Sequence, residues 1–401
     1  MTLNPEQLLS ARVQSIKPSP TLAISARAEE LQATGKPILN LSIGEPDFDT
    51  PEHIKEAAIL SLQEGHTKYT AVEGTKKLRQ AIVDKFAREN QLKYELNQIL
   101  VSSGAKQSLY NLFIAILNPG DEVIIPAPYW VSYPDMVKLT EGKPVIVDTS
   151  FKNHFKMTAD ELAQGITPKT RAIILNSPSN PTGMVYTADE LKKLADVLLN
   201  HPNIIIASDD IYERHCWNHL PFKNIMNVCP ELSDRTIVIN GASKTYAMTG
   251  WRIGYAAGPA KIIAAMKKAQ SQSTSNPNSI AQDATIAALN SDQTCVTKMC
   301  HAYKDRHDFV ISELQKMKGI EVMPSDGTFY TFPLVSPLFN PAKGINNDLE
   351  FAEYLLNKAE IAIIPGSAFG APGHIRICYT TSMENLKEAM KRLHQVVKEL
   401  T

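Results

Sequence analysis

Thr236-Ile237-Val238-Ile239-Asn240-Gly241-Ala242-Ser243-Lys244 is the stretch on which the fold turns. Its first half is a short unbroken apolar run, the mark of a strand buried on both faces of a mostly parallel sheet. The second half breaks into small and polar residues and ends on a lysine. The same switch occurs three more times. Ile204–Ala207 leads into Ser208-Asp209-Asp210-Ile211-Tyr212, and Ala172–Leu175 into Asn176-Ser177-Pro178-Ser179-Asn180-Pro181-Thr182-Gly183. Ile99–Ser102 leads into Ser103-Gly104-Ala105-Lys106-Gln107 and then a helical pattern. Open α/β sheets bind ligands in the crevice beyond their carboxyl strand ends, and that is where these polar residues gather.

Outward from these runs the α/β alternation continues. Strands are expected at Ile99–Ser102, Val123–Pro126, Pro144–Asp148, Ala172–Asn176, Ile204–Ser208, Thr236–Asn240 and Ile253–Ala257. The intervening helices have start signals. Thr158/Glu161 and Thr187/Glu190 fit the capping box, and Thr50-Pro51 reads as a cap followed by proline in the first turn. Leu78, Ala81, Ile82 and Phe86 recur at helical spacing. Past residue 290 the texture changes. A helical stretch through Ala302–Met317 precedes separate strands at Ile320–Pro324, Phe329–Leu334, Ile361–Pro365 and Ile375–Tyr379, and a last helix starts near Ser382. The expected division is a large domain over 48–289 and a smaller α+β domain over 290–401. The arm 1–47 belongs with the latter or with a partner subunit.

Composition narrows the function classes. A chain of 401 residues exceeds one typical core. A net charge of −1 offers no field for nucleic acid or an anionic membrane, so neither is an expected partner. The N-terminus lacks the apolar segment of a signal peptide, and no apolar run approaches the roughly 20 residues of a membrane span. Cys216, Cys229, Cys295, Cys300 and Cys378 are scattered, with no CxxC pair. They read as reduced thiols of a cytoplasmic protein, with no metal site.

The strand-end residues suit a cofactor that carries a phosphate, a pyridine nitrogen, a phenolic oxygen and an aldehyde. A phosphate needs free N–H groups at a helix start, which Gly104-Ala105 offers. Arg252 can add a planar fork of donors. Asp209 suits a protonated ring nitrogen, Asn180 and Tyr212 a phenolic oxygen, and Lys244 a Schiff base with the aldehyde. Each residue alone has a plainer reading. A lone lysine is usually a surface residue, Asp209 could cap a helix, Asn180–Gly183 is a turn sequence, and Gly104-Ala105 could be a tight βα turn. Their joint order at successive strand ends carries the weight.

Three motifs, Asn180-Pro181-Thr182-Gly183, Asp209-Asp210-Ile211-Tyr212 and Ser243-Lys244-Thr245-Tyr246-Ala247-Met248-Thr249-Gly250-Trp251-Arg252-Ile253-Gly254-Tyr255, resemble the class I, fold-type I aminotransferases. These enzymes depend on pyridoxal 5′-phosphate (PLP) and are related to aspartate aminotransferase. The likeness extends from Gly44-Glu45-Pro46-Asp47-Phe48 to Arg376. It implies a mostly parallel seven-stranded sheet with helices on both faces. It also implies that Lys244 carries PLP as a Schiff base, Asp209 pairs with the ring nitrogen, and Asn180 and Tyr212 bind the phenolic oxygen. Trp130 would stack on the ring, and Gly104, Ala105, Lys106, Ser243 and Arg252 would surround the phosphate end. Arg376 would pair with the substrate α-carboxylate, and Gly44 would lie along the substrate. Tyr69 would reach the phosphate of the neighbouring subunit, implying a homodimer with shared sites. The serine that some relatives place three residues before the lysine is Gly241 here.

The resemblance extends to substrates. Lys106 is similar to the lysine that takes a second carboxylate in the bacterial aspartate aminotransferase subgroup. Lys17-Pro18-Ser19-Pro20-Thr21 resembles the segment, with Lys17 and Thr21, that closes over substrate there. The expected reaction is L-aspartate plus 2-oxoglutarate giving oxaloacetate and L-glutamate. Prephenate or aromatic amino acids are the alternative substrates. A PLP-dependent carbon–sulfur β-lyase would share Lys244, Asp209 and Arg252. A transcriptional regulator would need an added DNA-binding segment, and a nucleotide-binding dehydrogenase a Gly-x-Gly-x-x-Gly after a strand. Neither pattern is present.

Overall fold

A computed structural model describes residues 8–16, 20–217 and 222–401, with side chains left aside at 20–22. Its strands in chain order are β1 (Leu39–Asn40), β2 (Ile99–Ser102), β3 (Glu122–Ala127), β4 (Lys143–Asp148), β5 (Thr170–Asn176), β6 (Ile205–Asp209), β7 (Thr236–Gly241), β8 (Gly254–Ala257), β9 (Tyr330–Thr331), β10 (Ile361–Ala362), β11 (Ile364–Pro365) and β12 (Ile375–Cys378).

Seven of them form one sheet in the order β2-β8-β7-β6-β5-β3-β4. The pairs from β4 across to β7 are parallel, and β8 runs antiparallel to both of its neighbours. The apolar runs are unbroken because both faces are covered. In β7, Val238 joins one buried cluster while Ile237 and Ile239 join the other. In β5, Ile173 and Leu175 face one way, Ala172 and Ile174 the other. Burying one such Ile or Leu side chain contributes about 1.5–3 kcal/mol, so a strand sunk on both faces tolerates polar residues only at its ends. Helices Ala105–Ile116, Ser132–Leu139 and Ala260–Ser271 cover one face. Lys76–Lys85 and Ala188–Leu199 are among those on the other. The fold is the α/β arrangement expected from the sequence.

Both capping boxes form, with the Thr158 and Thr187 hydroxyls accepting from the Glu161 and Glu190 amides. Leu78, Ala81, Ile82 and Phe86 are buried as their spacing requires. Thr50 behaves differently from the expected cap. The helix Glu52–Gln63 has Pro51 at its N-cap with no side-chain cap. Instead the Thr50 hydroxyl donates to the Ala247 carbonyl at 2.6 Å and accepts from the Trp251 indole at 3.0 Å. It ties this helix to the loop after Lys244.

The C-terminal part departs further from its predicted strands. Ile320–Pro324 is joined only by a single bridge between Glu321 and Leu334. Phe329–Leu334 shortens to Tyr330–Thr331. Pro324 and Pro333 have no N–H to give a ladder, which is why both runs stop short. Ile361–Pro365 splits: β10 pairs with β1, while β11 pairs with β12 in a sheet ordered β11-β12-β9. The long helix starts at Thr294, ahead of the expected stretch, and the last helix begins after its Ser382 cap. Ala28, Leu31 and Ile38 pack with Leu356 and Ala362, so the N-terminal segment rests on the C-terminal one. Among the described residues, no helix is long and apolar enough to cross a membrane.

Candidate active site

The carboxyl ends of β5, β6 and β7, the start of helix Ala105–Ile116 and the end of β1 enclose a cavity of roughly 500 Å³. Gly44, Ala105, Lys106, Trp130, Asn180, Asp209, Tyr212, Ser243, Lys244, Arg252 and Arg376 all line it. Residues up to 332 positions apart in sequence, counting from Gly44 to Arg376, thus meet in one place.

Lys244 follows β7, and its Nζ donates to the Gly44 carbonyl at 2.7 Å. Burial, which disfavours a cationic amine, pushes its pKa down to about 8. Asp209 closes β6. Its Oδ2 accepts from the Tyr133 hydroxyl at 2.6 Å, and its Oδ1 from the Ile211 amide at 3.4 Å. Burial raises this carboxyl to about 6, against the lowering effect of those two donors. The next residue, Asp210, is held well above the carboxylate range by burial and by the Glu213 charge. Tyr212 is pushed well above the usual phenol range, chiefly by burial, so it remains a hydroxyl. His215, behind Tyr212, is driven down to about 3 by burial and by the Lys244 charge, and brings no charge of its own.

The helix at Ala105 opens on Gly104, with φ +87° and no side-chain cap. Its first amides are therefore the unsatisfied donors of a helix start, next to the Arg252 fork. A Cβ at Gly104 would lie 2.3 Å from the Arg252 guanidinium, so only glycine lets that fork close over the turn. Arg252 itself has a left-handed backbone, φ +58°, and its guanidinium donates to the Thr249 carbonyl at 2.7 Å. No side chain fits at Gly241, where a Cβ would lie 2.9 Å from the Ile253 carbonyl; this accounts for the missing serine. Lys106 extends over the Trp130 ring at 4.9 Å, with its pKa lowered by burial and then by Arg252.

Arg376, on β12, is buried. It donates to the Ser42 carbonyl at 2.6 Å and to Asn180 Oδ1 at 3.2 Å. The rings of Tyr330 and Phe369 lie 4.5 and 5.1 Å from its guanidinium carbon. Its Nε is buried with no protein partner, a donor left for a carboxylate ligand. Together these features fit a phosphorylated pyridine aldehyde and an amino acid. There is an amine whose pKa burial lowers to about 8, a carboxylate with hydrogen-bond donors, an uncapped helix start beside an arginine, and a spare guanidinium donor.

Tyr69 is placed elsewhere, 94% exposed and away from this cavity. Lys17 and the Thr21 side chain lie outside the described residues, although Thr21 falls in helix Pro20–Ala33. Sequence reasoning missed two lining tyrosines. Tyr133 stands three residues after Trp130, the spacing of one helical turn, and that spacing could have found it. Tyr330 shares a hydrogen bond with Tyr212, hydroxyl to hydroxyl at 2.9 Å, and packs on Gly44. Nothing local in the sequence links it to either.

Residues 36–393 match the family described as aminotransferase class I and II. An aspartate/prephenate aminotransferase of Nitrosomonas europaea is 55% identical over 96% of this chain and 98% of its own. An aspartate aminotransferase of Geobacillus stearothermophilus is 49% identical over 96% and 98%. Among solved structures, the aspartate aminotransferase of Rhizobium meliloti superposes with a TM-score of 0.94 at 46% identity, covering 97% of this chain and 98% of that one. The Thermus thermophilus aspartate aminotransferase, solved with maleate, gives 0.92 at 42% identity over 97% and 99%.

Proposed function

This chain belongs to the class I and II aminotransferases, and from that premise we propose that it uses PLP to move an amino group from L-aspartate to 2-oxoglutarate, giving oxaloacetate and L-glutamate. The observation that carries the reading is the part-buried Lys244, its amine pKa lowered, sharing one cavity with the buried Asp209 carboxylate. When bound, PLP supplies a cationic ring that accepts the electron pair left on the substrate Cα. Lys244 would hold the cofactor through its amine and, once displaced by substrate, would take the proton from Cα as base and give it as acid to the cofactor's C4′. Asp209 keeps the ring nitrogen protonated. Asn180 and Tyr212 hold the phenolic oxygen, and Trp130 covers the ring face. The helix start at Gly104-Ala105 binds the phosphate together with Ser243 and Arg252.

Arg376 takes the α-carboxylate, Gly44 lies along the substrate, and Lys106 meets the second carboxylate of a dicarboxylic acid. A lysine whose pKa is depressed by desolvation gains from such an anion. The maleate with which the Thermus structure was solved is a dicarboxylate as well. Prephenate, also a dicarboxylate, is the second reading; it rests on the name of the Nitrosomonas relative. Lys17 and Thr21 belong to the segment proposed to close over the substrate.

The same reading gives a cytoplasmic homodimer, supported by five free cysteines and by the exposure of Ile59, Leu60, Leu62 and Tyr69. Tyr69 would then complete the partner's phosphate site. The division into 48–289 and 1–47 with 290–401 belongs to it too, supported by the pairing of β1 with β10.

An amino-donor screen against 2-oxoglutarate, oxaloacetate and prephenate, run on wild type and Lys106→Ala, tests the assignment. Lys106→Ala is expected to lower kcat/KM for aspartate by about 10- to 100-fold, the scale of a lost hydrogen bond to a charged group. Phenylalanine should be nearly unaffected. Equal losses would remove Lys106 from the side-chain site. Release of pyruvate and ammonia without an oxo-acid acceptor would replace transamination with a lyase.

A further inference from the structure

Asp209 depends on a residue that no motif contains. We propose that Tyr133 is the positioning residue of this site: its hydroxyl, donated to Asp209 Oδ2 at 2.6 Å, holds that carboxylate ionised and in one orientation for the cofactor's ring nitrogen. This rests on the PLP reading above and goes beyond it by naming what sustains the ionic partner.

The two donors to the carboxylate are unequal. An O–H···O⁻ contact of 2.5–2.7 Å is charge-assisted and roughly twice as strong as a neutral one. The Ile211 amide, at 3.4 Å, is near the limit of a hydrogen bond. Tyr133 therefore supplies most of the local stabilisation of the anion. Its own placement is rigid. It is 2% exposed on helix Ser132–Leu139, and its ring meets Trp130 edge-on at 5.3 Å and 86°. That contact links the residue proposed to cover the ring face to the one that holds the ring's counter-charge.

The charges around the pair leave few other routes. Tyr133 faces Asp209, Tyr212 and Asp210. Burial keeps Tyr133 and Tyr212 as hydroxyls and pushes Asp210 well above the carboxylate range, while Ser208 and Asn224 donate to its two oxygens. Asn176 donates to the Asp209 backbone carbonyl at 2.9 Å and not to its carboxylate. The cations Lys106, Lys244, Arg252 and Arg376 share the cavity, but none of them hydrogen-bonds Asp209 among the described contacts. Removing the Tyr133 hydroxyl thus leaves a buried carboxylate with one long contact, and its proton affinity must rise.

The test is equilibrium binding of two probes to the cofactor-free full chain, wild type and Tyr133→Phe. One probe is PLP; the other is its analogue with C–H in place of the ring nitrogen. Tyr133→Phe is expected to weaken PLP on the order of tenfold near neutral pH. The acid limb of PLP affinity should also move to higher pH, because Asp209 then takes up its proton earlier. Affinity for the analogue should change by less than about twofold, since it offers nothing for the carboxylate to pair with. Equal loss for both probes would show a merely structural role and overturn the proposal. In the Asp209→Asn background, where no anion is stranded, adding Tyr133→Phe should cost no further PLP affinity. A further loss there contradicts action through Asp209. Wild type that forms no imine with PLP would sink the cofactor reading itself, a separate outcome.

Discussion

Lys244 sits where an amine is pushed toward its neutral form. Burial lowers its pKa from the ordinary 10.5 to about 8, and the neighbouring Arg376 and Arg252 act in the same direction. Only the neutral amine attacks an aldehyde, so the nucleophilic fraction rises as pH climbs through that value. Trinitrobenzenesulfonate modification of position 244 in the cofactor-free chain, followed by peptide mapping across pH, should have a midpoint near 8. A midpoint at the ordinary lysine value would refute the burial argument. At this scale the sequence was informative wherever a residue followed an apolar run. Asp209 ends β6; Lys244, Tyr212 and Asn180 stand just past β7, β6 and β5, and the cavity gathers them. Tyr133 and Tyr330 stand in no such pattern. Their meaning comes from partners at positions 209 and 212, brought to them by the fold.

Among the elements, the junction of β8 with helix Ala105–Ile116 sets the end of the cavity proposed to take the phosphate. A Cβ at Gly254 would lie 2.0 Å from the Ala105 amide nitrogen and 2.4 Å from the Gly104 carbonyl carbon. Backbone atoms cannot swing aside as a side chain can. Gly254→Ala should therefore push the helix start off the sheet, at a cost of about 1–3 kcal/mol or more, and weaken PLP binding with it. Gly250→Ala is the control, since nothing lies within 4 Å of that position. Equal urea midpoints for the two variants would contradict the close-packing account. The seven central strands were legible because burial on both faces writes itself as an unbroken apolar run. The short strands of the C-terminal part were overdrawn. Apolar runs there also serve helix packing and loops, and Pro324 and Pro333 interrupt pairing that hydrophobicity alone suggests. Thr50 read as a cap because Thr-Pro is a common helix start. Its hydroxyl instead bonds a loop some two hundred residues away, which no local rule encodes.

Across the whole molecule, the short segment after β1 joins the parts. The Leu41 carbonyl accepts from Cys378 on β12, Ser42 from Arg376, and Gly44 from Lys244. One stretch of backbone thus touches both Arg376 on β12 and Lys244 just past β7. That convergence explains why residues from the N-terminal arm, the central sheet and the C-terminal strands face one cavity. Its centre is the amine at position 244. Borohydride reduction of the PLP-loaded chain followed by peptide mapping tests this most directly. A single pyridoxyl label on Lys244 is predicted. A label on Lys106 or any other residue, or no label at all, would contradict it.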